Sequence, residues 1–167
     1  MATLRALRLL LLAAVALSTV ACDQATKHIA RTCLTSGARH ELLDGVVQFA
    51  LTENSGGFLS LGHGLTPPTS LLIFTVATSV LIVAVLVVLV RSRLALHSRA
   101  GFGLALLAAG GLGNLIDRLF RHGLVTDFCV LRLGPLHTGI FNIADVAILL
   151  GVVVILAAHA DHNRASA

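Results

Sequence analysis

Residues Gly110–Asp145 read GGLGNLIDRLFRHGLVTDFCVLRLGPLHTGIFNIAD. The stretch lies between two long apolar runs, yet it carries Asn114, Asp117, Arg118, Asp127, Asn142 and Asp145. Carboxylates and amides at the edge of membrane-length segments are costly, because hydrocarbon offers them no water. Groups kept at that cost point to use. Asp127 and Asp145 suggest a paired-carboxylate hydrolytic site held at a membrane surface.

The rest of the chain agrees with a membrane setting. Of its 167 residues 56% are hydrophobic and only 12% charged, where soluble domains average about 25% charged; mean hydropathy is +0.92. Trp and Tyr are absent, so an interfacial aromatic belt can draw only on the seven Phe. The net charge of +4 comes from arginines scattered at segment ends. No basic, aromatic-interleaved patch appears, so no nucleic-acid partner is expected.

Downstream of the opening stretch, 141–158 reads as a span in which Asn142 caps the helix and Asp145 sits in its first turn, where the helix dipole favours a carboxylate. That alone is a structural account of both residues. Upstream, 100–116 is a shorter span whose Gly101, Ala105, Ala108, Ala109, Gly110, Gly111 and Gly113 let neighbouring backbones come close. Asn114 and Arg118 share a helix face at i, i+4, with Asp117 beside both; an Asp117–Arg118 pair closing the helix is the structural alternative. Pro67 and Pro68 introduce a further span, 69–90, with no charge until Arg91.

Between 28 and 68 the chain is mixed. Residues 41–52 suggest a short hairpin or small sheet, and the glycines of Glu53–Ser60 permit close approach to an extended ligand. His40-Glu41 would begin a zinc H-E-x-x-H motif, but position 44 is Asp; no metal or other cofactor is expected. Residues 4–22 form the first apolar run. Thr19-Val20-Ala21-Cys22 faintly resembles a lipoprotein cleavage box, but three further spans follow, which favours an uncleaved first helix. After it, Lys27 either ends the helix and snorkels to the headgroups, or Asp23 is a polar partner for another helix. Cys22, Cys33 and Cys129 form no C-x-x-C pair and read as small apolar residues; a Cys22–Cys33 disulfide is not favoured by anything in the spacing.

Basic residues are dense around Arg5 and Arg8 and at Arg91, Arg93, His97 and Arg99, and diluted elsewhere. The fold expected is therefore an all-α membrane protein of four transmembrane helices, both termini cytoplasmic, with a small extracytoplasmic β-rich subdomain, about 28–68, between the first and second. The whole, 1–167, reads as one domain, and Asp127 and Asp145 meet at the outer surface.

Five blocks of residues then form a pattern: Asp23-Gln24-x-x-Lys27, Asn54-x-Gly56, Gly113-Asn114-x-x-Asp117-Arg118, Val125-x-Asp127-Phe128 and Phe141-Asn142-x-Ala144-Asp145. In order and spacing they resemble lipoprotein signal peptidase, the signal peptidase II family of bacteria, over essentially the whole chain. The resemblance implies an aspartic endopeptidase of the inner membrane, working without a cofactor as a monomer. It would cut signal peptides from prolipoproteins just before a diacylglyceryl-modified Cys, with membrane lipid as its surroundings. It implies Asp127 and Asp145 as catalytic, Asn54, Asn114, Arg118 and Asn142 as substrate-binding or orienting, and Asp23, Lys27, Asp117 and Gly56 as supporting. Two departures stand out: Gly57-Phe58-Leu59 brings an aromatic one position early, and His137-Thr138-Gly139 replaces aromatics usual before the last block.

The residues support the chemistry independently. Two nearby carboxyls share one proton, so one member can take a proton from water while the other donates to the carbonyl and then to the leaving amine. An ion carrier is the rival class, but it needs ionisable residues through the bilayer's depth, and the mid-span positions carry none. A non-catalytic protein that grips lipidated peptides is the other.

Overall fold

The computed structural model describes residues 2–35, 37–56, 66–91 and 99–165. Among the described residues, helices α1 (Ala2–Cys33), α2 (Pro67–Arg91), α3 (Arg99–Phe120) and α4 (Ile143–Ala165) and strands β1 (His40–Leu42), β2 (Val47–Asn54), β3 (Val125–Leu133) and β4 (Leu136–His137) follow in the order α1-β1-β2-α2-α3-β3-β4-α4. Each helix is long and apolar enough to cross a membrane, and the molecule is a multi-pass membrane protein. The inner helix is α3, which packs against α1, α2 and α4. It is the only one of the four spans with more than half of its most apolar window buried.

Lipid tails are as apolar as Leu, so helices in a membrane associate through close packing rather than through exclusion of water. The small residues of α3 serve this end. A Cβ on Gly103 would lie 2.7 Å from the carbonyl oxygen of Gly151, and one on Gly151 equally close to that of Gly103. At Gly110 the obstacle would be the Ala144 carbonyl.

Helix α1 outruns its expected end at residue 22. The stretch from Asp23 to Cys33 contains no Gly or Pro to stop it, so 28–33 belongs to the helix rather than to the β-rich segment. Lys27 does not snorkel; it is fully buried one turn after Asp23. Cys22 and Cys33 are both unpaired, and eleven residues along one helix separate them by about 16 Å, beyond disulfide reach.

The expected β-rich unit is present, and the connection between α3 and α4 completes it. The sheet is antiparallel with order β1-β2-β3-β4. Register pairs Phe49 with Cys129, passes an irregularity in β2, and resumes with Thr52 opposite Asp127 and Asn54 opposite Val125. His122 and Gly123 take φ of 55° and 90°, and Gly123 N–H donates to the Arg118 carbonyl at 2.9 Å. This left-handed ending reverses the chain out of α3 straight into β3, which sets Asp127 beside the helix ends. The Gly57-Phe58-Leu59 segment and the basic loop with Arg93 and His97 lie outside the described residues.

Candidate active site

Helix α4 begins with a reciprocal cap. The Asn142 Oδ1 accepts from the Asp145 N–H at 3.0 Å, and the Asp145 Oδ2 accepts from the Asn142 N–H at 3.2 Å. Residues at the cap and three positions on thus satisfy each other's donors. Asp23 reaches across from α1 to take the Ala144 N–H at 2.9 Å. The cap reading made from sequence accounts for this geometry but not for the other bonds these residues make.

The Asn142 Nδ2 donates to Asp127 Oδ1 at 2.7 Å and to Asn114 Oδ1 at 3.1 Å. Asn114 in turn donates its Nδ2 to Asp145 Oδ1 at 3.0 Å. One asparagine therefore touches both carboxyls, by its side chain and by its backbone. Asp127, on β3, also accepts from Asn54 Nδ2 at 2.9 Å, and Asn54 Oδ1 accepts from the Gly56 N–H at 2.8 Å.

Beneath this pair lies a buried ionic cluster. Lys27 Nζ sits 2.9 Å from Asp23 Oδ2 and 3.2 Å from Asp117 Oδ2, and donates to Asn114 Oδ1 at 2.9 Å. Asp117 Oδ2 also accepts from the Thr126 N–H at 3.0 Å, so α3 holds β3 one residue before Asp127. Asp117 thus turns to Lys27 and to β3, not to Arg118. Arg118 donates its Nη2 to the Gly56 carbonyl at 2.9 Å and lies over the Phe74 ring. Gly113 is required here, since a Cβ would come 2.5 Å from Asp23 Oδ2.

Asp23, Asp117, Asp127 and Asp145 are all buried, and the buried cations facing them are Lys27 and Arg118. Full ionisation would leave an excess of negative charge in a region that screens it poorly, which favours a retained proton. Burial, followed by the charge of Asp145, pushes Asp127 up to about 7, against the downward pull of the Asn54 and Asn142 amides. Asp127 is therefore able to hold or release a proton near neutral pH.

A family model described as signal peptidase (SPase) II matches residues 15–160. The chain belongs to the signal peptidase II family. Among similar proteins, a lipoprotein signal peptidase from Desulforapulum autotrophicum is 38% identical over 136 residues, covering 81% of this chain and 82% of that one. Another, from Streptomyces coelicolor, is 35% identical over 155 residues, covering 89% and 70%. A solved structure described as a bacterial membrane enzyme superposes with a TM-score of 0.80 at 27% identity over 91% of this chain and 88% of that one.

Every residue of the five signal peptidase II blocks named as a site candidate from sequence is drawn into this one region. Asn114, read as substrate-binding or orienting, accepts at Oδ1 from Lys27 and Asn142 and donates its Nδ2 to Asp145. Four contributors were not singled out. Gln24 Nε2 donates to Asp23, to the Gly113 carbonyl and to Asp117. Arg31 donates to Thr126 Oγ1 at 3.1 Å, and the Ser70 hydroxyl donates to the Ser55 carbonyl. Gln24 stood inside a recognised block, and Arg31 lies one turn beyond Lys27. Ser70 and Thr126 gave no signal in the sequence.

Proposed function

We propose that this chain is an aspartic endopeptidase that removes signal peptides from diacylglyceryl-modified bacterial prolipoproteins, with Asp127 and Asp145 as its catalytic pair. The observation that carries the reading is the Asn142 bridge, which holds two buried carboxyls in one hydrogen-bonded unit at the junction of sheet and helices.

The pair shares one proton. Its ionised member takes a proton from water as that water attacks the carbonyl carbon before the lipidated Cys, and its protonated member donates to the carbonyl oxygen. On collapse of the tetrahedral intermediate, the C–N bond breaks and a proton passes from the pair to the leaving amine of the Cys. Asn114 and Asn142 orient the carboxyls, and Asn54 steadies Asp127 from β2. Asp23, Lys27 and Asp117 hold the helix ends on which the site is built.

Arg118 has a distinct part. Among the described residues its Nε is buried without a hydrogen-bond partner, while Nη2 holds the Gly56 carbonyl. A buried donor left open is costly, and a carbonyl of the extended substrate satisfies it. The diacylglyceryl group keeps the substrate at the bilayer, so the membrane brings the scissile bond to the pair. The enzyme acts as a monomer in the bacterial inner membrane. Both termini are cytoplasmic, and the pair lies near the extracytoplasmic surface.

The test is cleavage of a lipidated prolipoprotein by the purified protein, beside the same substrate without lipid. Asp127→Asn and Asp145→Asn should each lower turnover by about a thousandfold or more and leave lipopeptide binding largely intact. Near-normal turnover by either variant would refute the shared-proton mechanism. Binding without cleavage by the wild type would refute the enzyme reading.

A further inference from the structure

The two faces of the sheet differ in character. Gln48 and Val130 are register partners, as are Arg132 and His137, and these side chains line a cavity of about 380 Å³. The alternate positions Val47, Leu131, Leu133 and Leu136 lie on the opposite face. Asp127 shares the cavity's face. Its register partner is Thr52, a further wall of the cavity, and partners on antiparallel strands project to the same side. A β-bulge turns Asp127 this way: the Phe128 and Cys129 N–H groups both donate to the Phe141 carbonyl, at 3.1 and 2.9 Å, which offsets the alternation of β3. Ile140, also in the wall, lies just before Asn142, whose amide holds Asp127 at 2.7 Å. The cavity therefore begins beside the carboxyl pair.

Its size falls within the range of about 300–1,000 Å³ usual for ligand sites. Its walls carry Arg39 and Arg132 and no carboxylate. Among the described residues, neither arginine has a carboxylate within ion-pair distance. Glu41 borders the cavity as the register partner of Gln48, and its Oε1 accepts from Gln48 Nε2 at 2.9 Å. Unpaired guanidinium groups in a cavity attract an anionic occupant, and their paired donors match a carboxylate. The segment His137-Thr138-Gly139, where the sequence departs from the family pattern, supplies a further part of the wall.

An occupant that runs from the carboxyl pair into this cavity is a peptide continuing from the scissile bond. The signal peptide ahead of that bond is apolar and belongs with the spans, whereas the residues after the lipidated Cys leave the bilayer on the side of the sheet. We propose that the cavity receives this mature segment of the substrate and that Arg39 and Arg132 select acidic side chains within it. The inference rests on the peptidase reading above. From Asp127 to Arg132 β3 runs about 15 Å, so an extended peptide reaches Arg132 about four to six residues beyond the scissile bond.

The test compares two lipidated prolipoprotein peptides that differ only at those positions, one carrying Asp and the other Lys, each cleaved by the full chain in detergent. The readout is the ratio of their kcat/KM values. Wild type should favour the Asp peptide by about five-fold, expressed in KM because the contact is remote from the reacting atoms. Arg39→Gln and Arg132→Gln should each reduce the preference, and Arg132→Glu should reverse it. A variant that is merely less stable cuts both peptides more slowly and keeps the wild-type ratio, so the ratio separates selection from folding. Equal cleavage of the two peptides by wild type, or an undiminished preference in the double Arg→Gln variant, would overturn the proposal while the enzyme reading stands. Cleavage of neither peptide would overturn both.

Discussion

Replacing Lys27 with Met tests whether the buried ionic cluster holds the site together. Met keeps roughly the length and apolar stem of Lys and removes only the charge and its hydrogen bonds. In the wild type Nζ is shared by Asp23 at 2.9 Å, Asp117 at 3.2 Å and the Asn114 amide oxygen at 2.9 Å, with the side chain fully buried. Without it two carboxylates face each other uncompensated, and breaking a buried ionic group in this way costs about 3–5 kcal/mol. For a chain of this size, that lowers the melting temperature by roughly 6–20 °C. The assay is thermal unfolding of the detergent-solubilised protein, followed alongside prolipoprotein cleavage. Turnover should fall as well, because Asn114 loses the donor that fixes its orientation towards Asp145. Adding Asp117→Asn to Lys27→Met removes one of the stranded charges and should recover part of the lost stability. A single variant that melts within about 2 °C of wild type, a shift worth less than about 1 kcal/mol, and cleaves normally would refute the argument that the cluster is a structural unit.

Further outcomes are expected. With Asp127 at about 7, the pair loses its shared proton as pH rises through neutrality, so cleavage should fall on the alkaline side. A rate still climbing at pH 9 would contradict the assignment. The same raised value means that the native state keeps a proton which the unfolded chain gives up near pH 4; this contribution to stability is present below pH 4 and is lost as pH rises through about 7. Asn54→Ala removes an amide that favours the ionised form of Asp127, so the alkaline limb should move to higher pH by roughly one pH unit or less, seen in the kcat profile. Gly113→Ala should destabilise by about 1–3 kcal/mol, because its Cβ meets the pinned Asp23 carboxylate. Gly111→Ala, with its nearest neighbour at 3.5 Å, should be neutral or stabilising by about 1 kcal/mol. Glu53→Arg and Arg121→Glu should each slow cleavage by freeing the Asn54 segment, and the double exchange should restore it, since the two side chains pair at 2.6 Å.

The sequence by itself determined that this is a membrane protein and singled out the polar residues proposed as its site. Apolar runs of spanning length admit little but a helix, because every backbone group in hydrocarbon must be satisfied within its own segment. Polar residues at their ends are expensive enough that each one signals a use. Asp127, Asp145 and Asn142 were legible for that reason, and the order and spacing of the five blocks pointed to the family. The tertiary structure decided how those residues are joined. Whether Lys27 faced the headgroups or the interior turned on α1 continuing past Cys22, and on Asp117 arriving from α3. That β3 is a strand followed from pairing with β2, some 70 residues away, which no local pattern in VTDFCVLRL could specify. Asn114 shows the division: its spacing placed it on a face of α3, but only the meeting of α1, α3 and α4 showed that its amide bonds Lys27, Asn142 and Asp145. Local periodicity places a side chain on a face of its own element. What lies opposite that face is set by contacts between distant segments.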